Sequence, residues 1–242
     1  MKDIWDSSGF AGGAWEFLLV IYHRSVCPFS STASGPVHDP GQLLAAATPG
    51  TPVVLELGCG DRKRVEGAIG VDHRETRAAD VVGDVFDILA ALPTGSVSAV
   101  HANHFIEHVA IEQLLAELER VIPRGGKVYA SVPHFSSPYF YSDPTHSTFF
   151  GLYTLSYLIA GVPFRRRVPR YRTPLAFELQ EISLELRSER PFYGRHLLKR
   201  AISRLVNLRR GFQEFYEENL VWILPCYEIQ FVLERIDGPS SA

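Results

Sequence analysis

At positions 53–57, Val-Val-Leu-Glu-Leu, a β-branched apolar run stops abruptly on Gly58-Cys59-Gly60. Such a run is a short buried strand, and a Gly-x-Gly turn at its end lets backbone approach a ligand where any Cβ would intrude. Further short apolar segments follow at 68–71, 80–83, 97–102 and 127–133. The last two are preceded by the turn sequences Pro93-Thr94-Gly95-Ser96 and Arg124-Gly125-Gly126. Between them Ile106, Val109, Leu114, Leu115, Leu118 and Val121 recur at helical spacing. Buried strands alternating with connecting segments imply an α/β fold, a parallel sheet covered by helices, with its ligand beyond the carboxyl ends of the strands. The turn lacks the third glycine and the helix-capping arrangement of a pyrophosphate cradle, so a ligand without a diphosphate suits it better than a nicotinamide dinucleotide.

Two carboxylates stand where such a ligand would need them. Asp72 ends the second segment, the place where these sheets set an acid onto ribose hydroxyls. A carboxylate there can accept both hydrogen bonds of a vicinal diol. Asp84 ends the third segment, within reach of an adenine amino group. Either aspartate alone is an ordinary turn residue. In this order after the glycine turn, the two read as a nucleoside site.

Composition narrows the class further. The chain is 46% hydrophobic and 21% charged with a formal net charge of −3, which does not describe a disordered segment or a nucleic-acid binder. Cys27, Cys59 and Cys226 are odd in number, widely spaced and without metal-ligand spacing, as expected of a protein in the reducing cytoplasm. The apolar stretches at 17–22 and 220–224 are far shorter than the ~20 residues of a membrane span, and the first lacks the marks of a signal peptide.

The remainder is less regular. Residues 1–50 form an N-terminal arm with Trp5, Phe10, Trp15, Phe17 and Tyr22, expected to cover the active site, and a short helix is predicted at 42–47. Residues 51–242 are expected to form the main domain. Within it, 134–175 is a proline-broken, aromatic-rich lid insertion carrying a helix at about 147–160, and 187–225 is a basic helical connection. The alternating segments 177–186 and 227–233 read as half-exposed strands, and 196–218 as one basic amphipathic helix. Residues 165–210 hold twelve Arg and one Lys against four Glu, a local balance of +9 that leaves −12 for the rest. Such runs are commonly solvated faces, but this one also suits an anionic substrate or a membrane surface.

Residues 53–133 resemble the class I S-adenosylmethionine-dependent methyltransferases. The matching pieces are Glu56-Leu57-Gly58-Cys59-Gly60, Gly70-Val71-Asp72, Asp84-Val85, His104-Phe105-Ile106-Glu107-His108 and Arg120-Val121-Ile122-Pro123-Arg124-Gly125-Gly126. Val132-Pro133-His134-Phe135 and Asp143-Pro144-Thr145-His146, with Glu217 and Pro225 in the tail, are similar to a bacterial subgroup associated with polysaccharide or secondary-metabolite clusters. The resemblance implies a Rossmann-like seven-stranded sheet with helices on both faces and its last strand antiparallel. It also implies S-adenosyl-L-methionine as cofactor. Glu56, Gly58, Cys59 and Gly60 would surround its methionine end, Asp72 the ribose, and Asp84 with Val85 the adenine. Asn103 and His104 would close over the amino-acid moiety. The expected reaction is methyl transfer to oxygen or nitrogen of a small-molecule or glycan-intermediate acceptor, and the arginines suit an anionic one. The alternatives are other sulfonium chemistry that releases methylthioadenosine, or a non-catalytic cofactor-binding or membrane-surface protein.

Six of the nine histidines lie between His73 and His146. His104-Phe105-Ile106-Glu107-His108 formally matches the inverted zinc-protease pattern, but it begins just after a strand and no third ligand stands at a recognisable spacing. No metal is expected. His108 reads as a packed helix residue. His146, with Asp143, is the candidate general base in the lid, and the competing reading is a cap on the helix expected there. His134 is a weaker candidate of the same kind. The aromatic rings of the lid suit a sulfonium through cation–π contact, or simply the core.

Overall fold

The computed structural model describes residues 36–188 and 191–238. Most of the arm expected to cover the active site, residues 1–35, lies outside the described residues. The core is one eight-stranded sheet in the order β3-β2-β1-β4-β5-β8-β7-β6. Its strands are β1 (Val53–Leu57), β2 (Ile69–Asp72), β3 (Val81–Val82), β4 (Val97–Asn103), β5 (Lys127–Pro133), β6 (Ile159–Gly161), β7 (Leu175–Glu185) and β8 (Glu228–Arg235). Strands β1 to β5 pair in parallel, and β8 enters antiparallel between β5 and β7. The two alternating segments of the tail therefore supply the final pair, as expected. The strand count exceeds the expected seven because β6, within the 134–175 segment, adds itself to the outer edge of β7.

Among the described residues the helices are α1 (Leu43–Ala46), α2 (Val85–Ala91), α3 (Ile111–Val121), α4 (Pro138–Ser142), α5 (Tyr193–Val206) and α6 (Arg210–Asn219). Crossovers β3→β4 and β4→β5 run the same way along the sheet, so right-handed connection puts α2 and α3 on one face. There Leu55, Leu57, Val100, Val128 and Leu233 meet Ile88, Leu89, Leu114 and Leu118, all buried. The reverse crossovers β1→β2 and β2→β3 would put helices on the other face, yet neither contains one. Among the described residues the helical cover of that side comes from the tail, where the α5–α6 turn and the start of α6 face the sheet. The row Glu56–His101–Tyr129–Val232–Glu181, in register across β1, β4, β5, β8 and β7, borders an open groove.

Other elements also differ from expectation. Residues 147–160 form no α-helix: a 3-10 turn, Thr154–Tyr157, leads straight into β6. The helical pattern at 105–121 divides into a 3-10 turn, Ile106–His108, and α3, because the chain extends at Val109 and Ala110. The basic segment is likewise two helices, broken after Val206 where Leu208 and Arg209 turn the chain.

Candidate functional site

The glycine turn is built by carboxylates that follow strands. Asp72 closes β2, and its two oxygens accept the backbone N–H of Gly60 and of Arg74, each at 3.0 Å. Glu56, two residues before the turn, accepts the N–H groups of Arg64 and Val65 at 3.0 Å and so folds the returning loop over the strand end. Both acids are buried. Gly58 and Gly60 have φ of 67° and 56°. A Cβ on Gly58 would lie 2.7 Å from the Phe105 ring, whereas one on Gly60 would meet nothing within 4 Å. Gly58 is therefore a packing necessity, and Gly60 leaves open space in front of the turn.

Cys59 stands between them, buried, and its thiol is pushed up to about 11 by burial and then by the charges of Asp72 and Glu56. It is a packing residue and not a nucleophile. Asp80, which sequence reasoning passed over, supports the same turn. Its Oδ2 accepts the Gly70 N–H at 2.8 Å and pairs with Lys63 at 2.7 Å. Burial opposes ionisation, but the hydrogen bonds from Lys63 and Gly70 outweigh it and hold this carboxyl below its ordinary range. The signal was present: a third acid in a short apolar segment beside a glycine. Asp84 caps α2, accepting the Phe86 N–H at 2.8 Å, and Val85 behind it is buried.

At the end of β4 the chain turns through His104, whose φ is 49°. Its Nε2 lies 3.2 Å from Glu228 Oε2 on β8, and its Nδ1 lies 3.5 Å from Glu107 Oε1. Hydrogen bonding to Glu107 and Glu228 outweighs the cost of burial and raises the imidazole pKa to about 9. Burial raises Glu228, but the His104 and Gln230 hydrogen bonds and the Arg187 charge hold it below its ordinary range. The pairing is an imidazolium between two buried carboxylates, and Glu107 and Glu228 were missed as its partners. Alternation put Glu228 on the same face as Gln230, but no local pattern shows which strand becomes the neighbour of β5.

Residues 143–147 are tied to this turn. Ser147 N–H donates to the Glu107 carbonyl at 2.8 Å. Asp143 accepts both the N–H and the hydroxyl of Thr145, and the hydrogen bonds from Thr145 hold its carboxyl below the ordinary range. The Thr145 oxygen lies 2.8 Å from His108 Nδ1. His146 Nδ1 donates to the Phe140 carbonyl at 2.8 Å, and its Nε2 stands 3.8 Å from Asp143 Oδ2. His146 and Asp143 are thus neighbours without being a hydrogen-bonded dyad, and no helix follows for His146 to cap. Ligand-type atoms of Glu107, His108 and His146 lie within 4.8 Å of one another, so the 134–175 segment supplies a third member to part of the histidine motif. His104 takes the Glu228 partner instead. His134 is fully enclosed beside Ser136 and Glu217 and belongs to the core.

Between the sheet face and α5–α6 lies a groove of about 1120 Å³. Glu56, Asn103 and His104 line one end of it, and Arg64, Arg187, Arg209 and Arg210 give it cationic walls.

Residues 55–130 match the sequence profile of a family described as "Methyltransferase domain". No curated protein matches the chain in sequence. Among solved structures, a SAM-dependent methyltransferase from Archaeoglobus fulgidus is similar at 18% identity and a TM-score of 0.49, over 80% of this chain and 90% of that one. A phosphoethanolamine N-methyltransferase 2 from Haemonchus contortus gives 14% identity and 0.42, over 77% of this chain and 49% of that one. A geranyl diphosphate C-methyltransferase from Streptomyces coelicolor A3(2) gives 15% identity and 0.38, over 81% and 79%. At these TM-scores none of the three bears on what this chain acts on. The matched segment holds the glycine turn, both strand-end aspartates and the His104 turn, so the likeness to methyltransferase domains falls on the residues that build the candidate site.

Proposed function

We propose that the protein methylates an oxygen or nitrogen of a small-molecule or glycan-intermediate acceptor with anionic character. The observation that carries the cofactor half of this reading is Asp72, whose carboxylate fixes the Gly60 turn and still has acceptor capacity for a diol. In this reading Asp72 takes the ribose hydroxyls, and Asp84 with Val85 borders the adenine. The open space before Gly60, with Glu56, Asn103 and His104, receives the methionine end. When bound, the sulfonium supplies an electrophilic methyl group for in-line displacement.

The protein's own part is alignment, exclusion of water and custody of one proton. His146 is the proposed base. Donation of its Nδ1–H to the Phe140 carbonyl leaves Nε2 as the lone-pair nitrogen, and Asp143 stands close enough to stabilise the imidazolium that forms. Nε2 of His146 would take the acceptor O–H or N–H proton as the methyl group leaves sulfur for the acceptor atom. The arginines of the groove support an acceptor bearing phosphate or carboxylate. Sulfonium chemistry that leaves methylthioadenosine is the other outcome of product analysis, in place of S-adenosylhomocysteine.

Titration calorimetry with S-adenosylhomocysteine tests the site. Asp72→Ala and Asp72→Asn should weaken binding by about 10–100-fold, the worth of one or two charge-assisted hydrogen bonds. Unchanged affinity in both variants would contradict the placement of the ribose.

A further inference from the structure

Helix α5 is folded inside out. It turns Lys199, Ser203 and Asn207 toward the protein, together with Ile202 and Val206, and leaves Tyr193, Leu197, Leu198, Ala201 and Leu205 exposed. Leu197 is 73% exposed, and Leu198 and Leu205 are 60% exposed. At 3.6 residues per turn the outward apolar side chains cover roughly 140° of the helix circumference, with Arg204 inside that arc between Tyr193 and Leu197, Arg200 just beyond Tyr193 and Arg195 beyond Leu198.

The inversion has a cause. The C-terminal half of β7 carries backbone groups that helix side chains satisfy. Ser203 Oγ donates to the Leu184 carbonyl at 2.8 Å, and Asn207 both accepts the Leu184 N–H at 2.9 Å and donates to its carbonyl at 2.8 Å. Gln213 of α6 donates to the Ile182 carbonyl at 2.8 Å. Lys199 likewise spends its ammonium on the carbonyls of Arg187 and Pro225. The polar face of the helix is consumed inside, so the apolar face is left outside. α6 continues the pattern, burying Gln213 while exposing Phe212 and Phe215, and Trp222 and Ile223 follow it at 71% and 81% exposure.

We propose that this face docks on an anionic phospholipid bilayer, lying in the headgroup plane. The exposed leucines and aromatic rings supply the apolar side of an interfacial helix, and arginines within and beside it reach lipid phosphates while their stems lie over the acyl boundary. Charge decides among the occupants. A second copy related by a two-fold axis would set Arg200 and Arg204 against their own counterparts, whereas an anionic lipid surface pairs with them. No described helix is long and apolar enough to cross a membrane, so the contact is one of surface docking. The inference stands independently of the proposed acceptor.

The test is sedimentation of the full chain with vesicles of phosphatidylcholine, or of phosphatidylcholine mixed with phosphatidylglycerol, at low and high salt. Binding should be at least about tenfold stronger to the anionic vesicles and should fall as salt rises. Leu197→Ser with Leu205→Ser should lose about tenfold or more. Arg200→Gln with Arg204→Gln should remove most of the salt dependence. Cofactor affinity measured by calorimetry should stay the same in all of them, which separates lost docking from lost folding. No binding to the anionic vesicles would overturn the proposal, as would equal binding to both kinds. Self-association abolished by the leucine changes, without vesicle binding, would assign the face to a second copy and overturn it too.

Discussion

At the scale of single residues, His104 has the clearest pH signature in the molecule. Its imidazole pairs with Glu107 and Glu228, and its pKa is raised to about 9 in the folded protein from an ordinary 6.5. A pKa raised on folding stabilises the native state fully below the unfolded value, and that stabilisation is lost as pH rises through the folded value. The thermal midpoint should therefore decline between about pH 6.5 and 9 in the wild type. His104→Ala should lack that decline and be less stable at neutral pH. Its loss should be about 2 kcal/mol, below the 3–5 of a fully buried pair because the ring is partly exposed. Thermal unfolding of both proteins across that range checks it, and an unaltered slope in the variant would remove His104 as its source. The contrast with Asp72 is instructive. Asp72 was legible because it sits at a fixed offset from a strand and a glycine turn. The partner Glu228 is 124 residues away from His104, and only the sheet order brings it in.

At the scale of elements, the parallel strands were readable to within one or two residues because each is a short apolar run bounded by turn residues. The lid was not. Its aromatic spacing around 147–160 imitates a helix, but the segment instead pairs β6 with β7, where tertiary hydrogen bonds outweigh propensity. The amphipathic pattern of the 196–218 segment did not show which side faces inward, because edge satisfaction at β7 takes the polar side. That cause is measurable. Asn207→Ala removes two of the three side-chain hydrogen bonds to the Leu184 backbone, leaving Ser203 on the carbonyl and a part-buried N–H without its acceptor. The cost should be about 1–3 kcal/mol. Native-state hydrogen exchange should show the Leu184 amide opening faster while amides of β1 and β4 keep their protection. An unchanged Leu184 amide would mean that α5 is held against β7 by something other than its polar side chains.

At the scale of the whole molecule, the net charge of −3 conceals two surfaces with different tasks. The acidic strand ends are spent on backbone N–H groups that shape the glycine turn, and the arginines gather at the groove and along α5. The groove is bounded on one side by the α5–α6 turn and the start of α6, and the glycine turn is held by loops tied to carboxylates. A ligand that bridges β1, β2 and β4 should then stabilise the chain as a unit. For one site, ligand at 100 times its Kd adds about 2.7 kcal/mol. For a domain of this size that raises the midpoint by about 5–10 °C. Differential scanning fluorimetry with S-adenosylhomocysteine at that ratio should show such a shift in the wild type. If Asp72 holds the ribose, Asp72→Asn loses about 10–100-fold in affinity and at the same ligand concentration should shift by only about 1–5 °C. The Leu197→Ser, Leu205→Ser protein should shift as the wild type does, since its changes lie on the far side of α5 from β7. A full shift in Asp72→Asn would detach the acid from the ligand and leave it a builder of the turn alone.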